Sequence, residues 1–363
     1  MNDKPDVSKL NPKKIKVLLV DDSPLVLSIL TKLLSSASDI EVAGTASNGK
    51  EAVELVPQLN PAVICTDLHM PVMDGLEFTK EILAKYPRPI LVVSTSVEEG
   101  SVNVFKLLEA GAVDVYPKPR SAVDIESSAF AEGLFSKIRI LSGVRVFRKT
   151  VVPPSVKALQ KPIPGSKALI SYSMQQSIVV IGASTGGPQA LRTILVGLPT
   201  SFPAPVICVQ HIATGFLREL IKWLASQCRL RLVVATPGKL PETGTVYFAP
   251  EDCHLKFSAH GSFEVSEELP VNGHRPSVTV TMRSAAKSYG ARTLGILLTG
   301  MGSDGAEGML DIAKAGGITI AQDEASSVVF GMPKVAIGLG AVKHVLPLTS
   351  IAESLRSCLA SIP

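Results

Sequence analysis

The chain has 363 residues, 46% hydrophobic and 19% charged, enough for two domains that each bury a core; its 5 scattered cysteines exclude a disulfide framework and a Cys-x-x-Cys zinc site. No apolar run approaches the roughly 20 residues that span a bilayer, and the opening MNDKPDVSKLNPKK has no apolar stretch behind its charges, so neither membrane insertion nor secretion is expected and the chain reads as cytoplasmic. The formal charge of +4 is unevenly spread: residues 13–140 carry −4, 141–173 carry +6 and 174–363 carry +2, with no concentrated basic helix, which disfavours nucleic acid as a partner.

Residues 1–12 read as a tail, and the first domain as 13–140. KIKVLLVDDSP is a β-branched run that ends in two acids and leads into a helix with apolar residues at Leu25, Ile29, Leu30, Leu33 and Leu34. AVICTD again ends in an acid, and PILVVSTS and AVDVYPKP follow, with helical stretches between. Strands alternating with helices predict a parallel, doubly wound sheet, whose ligands bind at the carboxyl ends of the strands. Those ends hold Asp21, Asp22, Asp67, Ser94 and Lys118. Clustered carboxylates repel unless a cation sits among them, and a hard ion such as Mg²⁺ suits oxygen ligands. A single strand-end acid is more simply a helix cap, but three with a hydroxyl and a lysine suggest phosphoryl chemistry, one carboxylate attacking the donor.

VDDSP, TDLHMPVMDGLEF, VVSTS and KP make residues 13–140 resemble a response-regulator receiver domain. The resemblance implies that Asp67 is the phosphoacceptor, that Asp21, Asp22 and the His69 backbone carbonyl help hold Mg²⁺, and that Ser94 and Lys118 contact the phosphate. Val115 stands where many receivers have an aromatic switch residue, and Pro117 precedes the lysine.

Residues 141–173, with four prolines and no acid, read as a basic interdomain linker, a solvated tether first and a docking surface as the alternative. The domain from 174 to 363 opens with SIVVIGAS and TGGPQALRTIL, a strand and a helix start, and APVICVQHIATGF repeats the scheme. VVATPGKLPETGTVYFAPEDCHLKF, broken by Pro and Gly, suggests antiparallel hairpins. ARTLGILLTGMGSDGAEGMLDIAKAGG and GITIAQD return to strand, loop and helix. The fold class expected is therefore α/β, with two doubly wound parallel-sheet domains, the second with a small antiparallel hairpin insert.

Ser184, His211 and Asp304 each follow a predicted strand. A serine hydroxyl is a poor nucleophile until an imidazole takes its proton, and an acid fixes that imidazole's tautomer. Small residues around Ser184 admit a substrate carbonyl, and the helix start at 185–187 offers N–H groups to an oxyanion. A dinucleotide site would need an acid where His211 stands, and a phosphate loop would need Gly-Lys-Ser/Thr. Gly182-x-Ser184-x-Gly186 matches the nucleophile elbow, but the order Ser, His, Asp differs from that of the α/β-hydrolases. Singly, helix capping suits Ser184 or Asp304, and a loop position suits His211; together they favour acyl transfer. His254 and His274 could line the cleft, though packing suits each better; His260 and His344 look like surface residues.

IGASTGG, FPAPVICVQH, GHRPSV and LTGMGSDGA together make the chain closely similar to the chemotaxis protein-glutamate methylesterases, a receiver joined to a catalytic domain. The resemblance implies hydrolysis of glutamate γ-methyl esters on chemoreceptor cytoplasmic helices, with deamidation of receptor glutamines, and a sensor histidine kinase as phosphodonor. It gives Ser184 as nucleophile, His211 as base, Asp304 as its orienting acid, and Thr185 and Met301 on the oxyanion side, with no cofactor in that domain. Ile212-Ala213 replaces the usual Met-Pro, and Thr279 stands where an Asp usually follows RPSV. A non-enzymatic regulator with a vestigial triad and a DNA-binding regulator are the competing readings; the complete triad and the absence of a helix-turn-helix pattern weigh against them.

Overall fold

The structure, a computed structural model, describes residues 14–95, 104–119, 128–144, 146 and 176–360. The tail (1–12) and the linker from 147 to 173 lie outside the described residues.

The first sheet holds β1 (Ile15–Val20), β2 (Ile40–Ala46), β3 (Val63–Thr66), β4 (Ile90–Ser94) and β5 (Asp114–Pro117), in the order β2-β1-β3-β4-β5, all parallel. Helices α1 (Pro24–Ser35), α2 (Gly49–Leu59), α3 (Gly75–Lys85), α4 (Val104–Ala110) and α5 (Ser128–Ser142) alternate with them. Local chemistry starts these helices where the loops must stay open. After the two acids that end β1, the Ser23 hydroxyl accepts from the Val26 amide with Pro24 at the first helical position. Asp74 caps α3 through the Leu76 and Glu77 amides. Next to it Gly75 is obligatory, since a Cβ there would lie 2.2 Å from the Asp67 carbonyl oxygen, beside the acid at the end of β3.

The second sheet is wider: β14 (His344–Leu346), β13 (Ile318–Gln322), β12 (Thr293–Leu297), β6 (Ile178–Ala183), β7 (Val206–Gln210), β9 (Thr245–Phe248) and β8 (Arg231–Val234), in that order and all parallel. Its helices are α6 (Gly187–Val196), α7 (Leu217–Ala225), α8 (Val278–Tyr289), α9 (Ala306–Lys314), α10 (Met332–Gly338) and α11 (Leu348–Ala360). β6, β7 and β12 are buried along their whole length, which is why they read as unbroken apolar runs. One expectation needs correction. The Pro/Gly-broken stretch gives a single antiparallel hairpin, β10 (His254–Phe257) with β11 (Phe263–Ser266), whereas β8 and β9 pair in parallel at the edge of the main sheet. Residues 235–244 between them carry the chain back along the sheet instead of turning tightly, so both strands run in the sheet's direction.

The chain leaves β6 toward β7 on one side and later returns to β12 on the other, so a crevice opens at the carboxyl end of β6, where doubly wound sheets place their sites. The α4 side of the first domain packs on the α6–α7 side of the second: Phe105 stacks on Trp223 with ring centroids 5.4 Å apart. Gln189 donates to the Ala112 carbonyl at 2.8 Å, and Gln227 to the Glu109 carboxylate at 2.6 Å. Among the described residues no helix is long and apolar enough to cross a membrane.

Candidate active site and phosphoacceptor cluster

At the carboxyl ends of β1, β3 and β5, one carboxylate oxygen from each of Asp21, Asp22 and Asp67 lies within 4.8 Å of the others. The Lys118 ammonium reaches Asp21 at 2.7 Å and Asp67 at 2.9 Å, and the Lys118 amide donates to the Ser94 carbonyl. Burial lifts the Asp21 carboxyl above its usual range against the pull of Lys118. Burial alone would lower Lys118, but its hydrogen bonds to Asp21 and Asp67 and their charges hold it above its ordinary value. Two buried acids, one exposed acid and a single lysine leave the cluster short of positive charge, and hard oxygen donors of this kind fit Mg²⁺. His69 follows β3 with its side chain exposed, so only its backbone could serve here.

In the second domain the strand register brings the three expected residues together. Ala183 at the end of β6 pairs with Gln210 at the end of β7, so Ser184 and His211 follow side by side. The Gln210 amide donates to both the Ser184 and His211 carbonyls, at 2.9 and 2.8 Å, lashing the two loops together. Asp304 arrives on the loop between β12 and α9, and its Oδ2 lies 2.9 Å from His211 Nε2. Asp304 is only 1% exposed and also accepts from the Ser277 hydroxyl and the amides of Val278 and Thr279. Burial pushes its carboxyl upward, but the His211 hydrogen bond and charge, Ser277 and Thr279 outweigh this and hold it well below the usual carboxylate range. An ionised Asp304 therefore keeps the proton of a neutral His211 on Nε2, which makes Nδ1 the basic nitrogen. Nδ1 is buried and has no hydrogen-bond partner.

The close approach at Ser184 depends on Gly300, where a Cβ would lie 2.7 Å from the Ser184 Cβ and 2.3 Å from the Met332 sulfur. Ser184 donates its own amide to the Thr299 carbonyl. No hydrogen bond from the amides of Thr185 or Met301 occurs among the described residues, so both remain available to a developing oxyanion. Met301 is 46% exposed at the rim. Thr185 is buried, its hydroxyl donating at 3.0 Å to Asp114 of the first domain, which Lys137 also pairs with. The first domain thus touches the residue that follows Ser184.

Of the other histidines, His254 is fully buried, and its Nδ1 accepts the Ser277 amide, so it supports the Asp304 clamp from behind. His274 stacks flat on His211, with centroids 3.8 Å apart and planes 7° apart, contrary to the loop-packing expectation. Thr279 is buried against the Asp304 loop, accepting the Gly305 amide at 2.7 Å, and Ile212 lines a small cavity with Gln210, Arg275 and Pro276. Sequence reasoning passed over Gln210, Ser277 and Gly300. The runs VICVQH and LTGMG contain two of them, but no periodicity marks a residue that works by holding two loops together.

A receiver fold and a second parallel domain with Ser, His and Asp gathered at its crevice define a class: a response regulator with a hydrolase as its output domain. Residues 17–129 match the model of the response regulator receiver domain, and residues 179–355 that of the CheB methylesterase. The chain is 41% identical to the protein-glutamate methylesterase/protein-glutamine glutaminase 1 of Burkholderia pseudomallei (strain 1710b), over 96% of this chain and 98% of that protein. It is 40% identical to a protein of the same name, numbered 4, from Myxococcus xanthus (strain DK1622), over 94% of this chain and 96% of that one. The crystal structure of the Thermotoga maritima CheB methylesterase catalytic domain is 41% identical, covering 50% of this chain and 98% of that chain, with a TM-score of 0.49. The chain belongs to the CheB methylesterase family.

Proposed function

We propose that this protein is a phosphorylation-activated serine hydrolase that removes methyl groups from glutamate γ-methyl esters of chemoreceptors, with Ser184 as nucleophile, His211 as base and Asp304 as its orienting acid. The observation that carries the reading is the His211 ring, bonded to ionised Asp304 through Nε2 while its buried Nδ1 has no hydrogen-bond partner. Ser184 Oγ gives its proton to Nδ1 as it attacks the ester carbonyl, and the Thr185 and Met301 amides receive the oxyanion. His211 then protonates the departing methoxide, methanol leaves, and water repeats the sequence to free Ser184 and the glutamate. The same attack on a receptor glutamine expels ammonia, which makes deamidation a companion reaction.

The domains are assigned as tail (1–12), receiver (13–140), linker (141–173) and catalytic domain (174–363). In the receiver, Asp67 accepts a phosphoryl group from a sensor histidine kinase or a small phosphodonor, Lys118 and Ser94 engage the phosphate, and Asp21, Asp22, Asp67 and the His69 carbonyl hold Mg²⁺. The ion supplies charge neutralisation for the phosphoryl oxygens. Coupling between the sites is supported by the Thr185–Asp114 bond and the Phe105–Trp223 stack, which join the two domains; in this reading the unmodified receiver covers the crevice. The receptor's cytoplasmic helices are the substrate, which places the protein in the cytoplasm. Methanol release from methylated receptor membranes tests the reading: Ser184→Ala should lower the rate by roughly 10⁴- to 10⁶-fold, and a folded variant retaining a tenth of it would overturn the assignment.

A further inference from the structure

We propose that His274 is a positioning residue for this reaction: its imidazole face holds the plane of His211 so that Nδ1 stays directed at Ser184. The proposal rests on the reading of His211 as the base and adds a partner to it.

The argument begins with what holds a histidine ring. Rotation about the last side-chain torsion of a histidine is broad, and a single hydrogen bond tolerates tens of degrees of tilt. In the resting site His211 has one hydrogen bond, at Nε2, and none at Nδ1. One pinned corner does not define a plane. The stack does: two rings 3.8 Å apart and 7° from coplanar leave no room for His211 to swing out of its plane on that side. His274 is itself fixed from the backbone, exchanging hydrogen bonds with Val271 at 3.1 and 3.0 Å. The neighbouring Arg275 donates to the Glu267 and Glu268 carbonyls, which ties the loop to the strand hairpin. Neither ring nitrogen of His274 makes a hydrogen bond among the described residues, so the stack is the ring's own specific contact.

The same loop continues into Ser277, Val278 and Thr279, which clamp Asp304. Segment 271–279 therefore sets both the acid and the plane of the base. Charge fits the task. Burial pushes His274 down to about 4, assisted by the His211 and Lys137 charges and opposed by Asp304, so near neutrality it is uncharged and does not repel the imidazolium formed during acylation. A neutral π-face against that cation is attractive.

The test uses the intact protein with methylated receptor membranes, measuring kcat and KM for His274→Ala, His274→Phe and His274→Gln, with thermal unfolding as the fold check. His274→Ala should lower kcat roughly 10²-fold with KM within about twofold, because misplacing a reacting group costs turnover more than binding. His274→Phe, which keeps a flat ring, should recover at least a third of the wild-type kcat, while His274→Gln, polar but not planar aromatic, should not. In a His211→Ala background His274→Ala should cause no further loss, since it acts through the ring already removed. If the alanine variant does not fold, the Phe and Gln pair decides alone. A folded His274→Ala with more than a third of the wild-type kcat, a Phe variant no better than Gln, or an additional loss in the His211→Ala background would each overturn the proposal. The His211→Ala variant by itself reports on the underlying reading: near-wild-type activity there would remove the base assignment, whereas an inactive His211→Ala beside an active His274→Ala would remove only the role of His274.

Discussion

Asp304 carries a full charge at 1% exposure, and it can do so because donors surround it: the His211 ring, the Ser277 hydroxyl and the amides of Val278, Thr279 and Gly305. This arrangement has a pH signature. A carboxyl whose folded-state value is depressed binds its proton less readily folded than unfolded, so it contributes stability above the unfolded value of roughly 4 and loses it as pH falls toward the folded one. The midpoint of urea unfolding, followed by the single tryptophan, Trp223 on α7, should therefore fall between about pH 5 and 3 more steeply in the wild type than in Asp304→Asn. Parallel curves for the two proteins would show that Asp304 is not held in this way. Ser184, His211 and Asp304 stood out in the sequence as candidates because each follows an apolar strand run, and the structure brings the three together. His274 could not be weighed correctly, because its partner lies far back in the chain and only folding lays one ring on the other.

The elements that matter for chemistry are loops clamped between strands rather than the strands themselves. β6, β7 and β12 were legible as buried runs, and the acids that close β1 and β3 marked the carboxylate cluster at the strand ends. The edge strands β8 and β9 were not legible in their direction, since Pro and Gly between them signal a turn equally well whether the chain reverses or crosses over. The loop after β12 shows how little slack the site has. Gly300→Ala adds a methyl group in contact with Ser184 and Met332, an overpacking that costs about 1–3 kcal/mol. Its larger effect should be on turnover, a fall in kcat on the order of 10²-fold, because the added carbon displaces Ser184, the proposed nucleophile. Equal kcat in wild type and Gly300→Ala, compared at a temperature where both are folded, would mean that Ser184 tolerates the shift.

At the scale of the molecule, two parallel-sheet domains meet so that the receiver's α4–β5 side packs on the second domain, with Asp114 bonded to Thr185 and Phe105 stacked on Trp223. A phosphoryl group on Asp67 replaces its single negative charge with about two, in a cluster of three acids that Lys118 alone already leaves short of positive charge, enough to rearrange a two-state surface. Val115 gives that surface no aromatic switch, which leaves the α4 side as a body as the route the proposed coupling would take. Loosening the interface away from both sites should then mimic phosphorylation. Arg192→Glu with Gln227→Glu sets two acids opposite Glu109, and like charges across an interface are strongly unfavourable, so the basal esterase rate should rise by roughly 3- to 10-fold. An unchanged basal rate would place the regulation elsewhere. The most direct measurement joins the two sites in one tube: methanol release from methylated receptor membranes by the intact protein, with and without a small phosphodonor and Mg²⁺, for wild type and Asp67→Ala. The expected result is a rate that rises on adding the donor to wild type and does not respond in Asp67→Ala; a wild-type rate unmoved by the donor, with Asp67 shown to be phosphorylated, would contradict a receiver that governs the hydrolase.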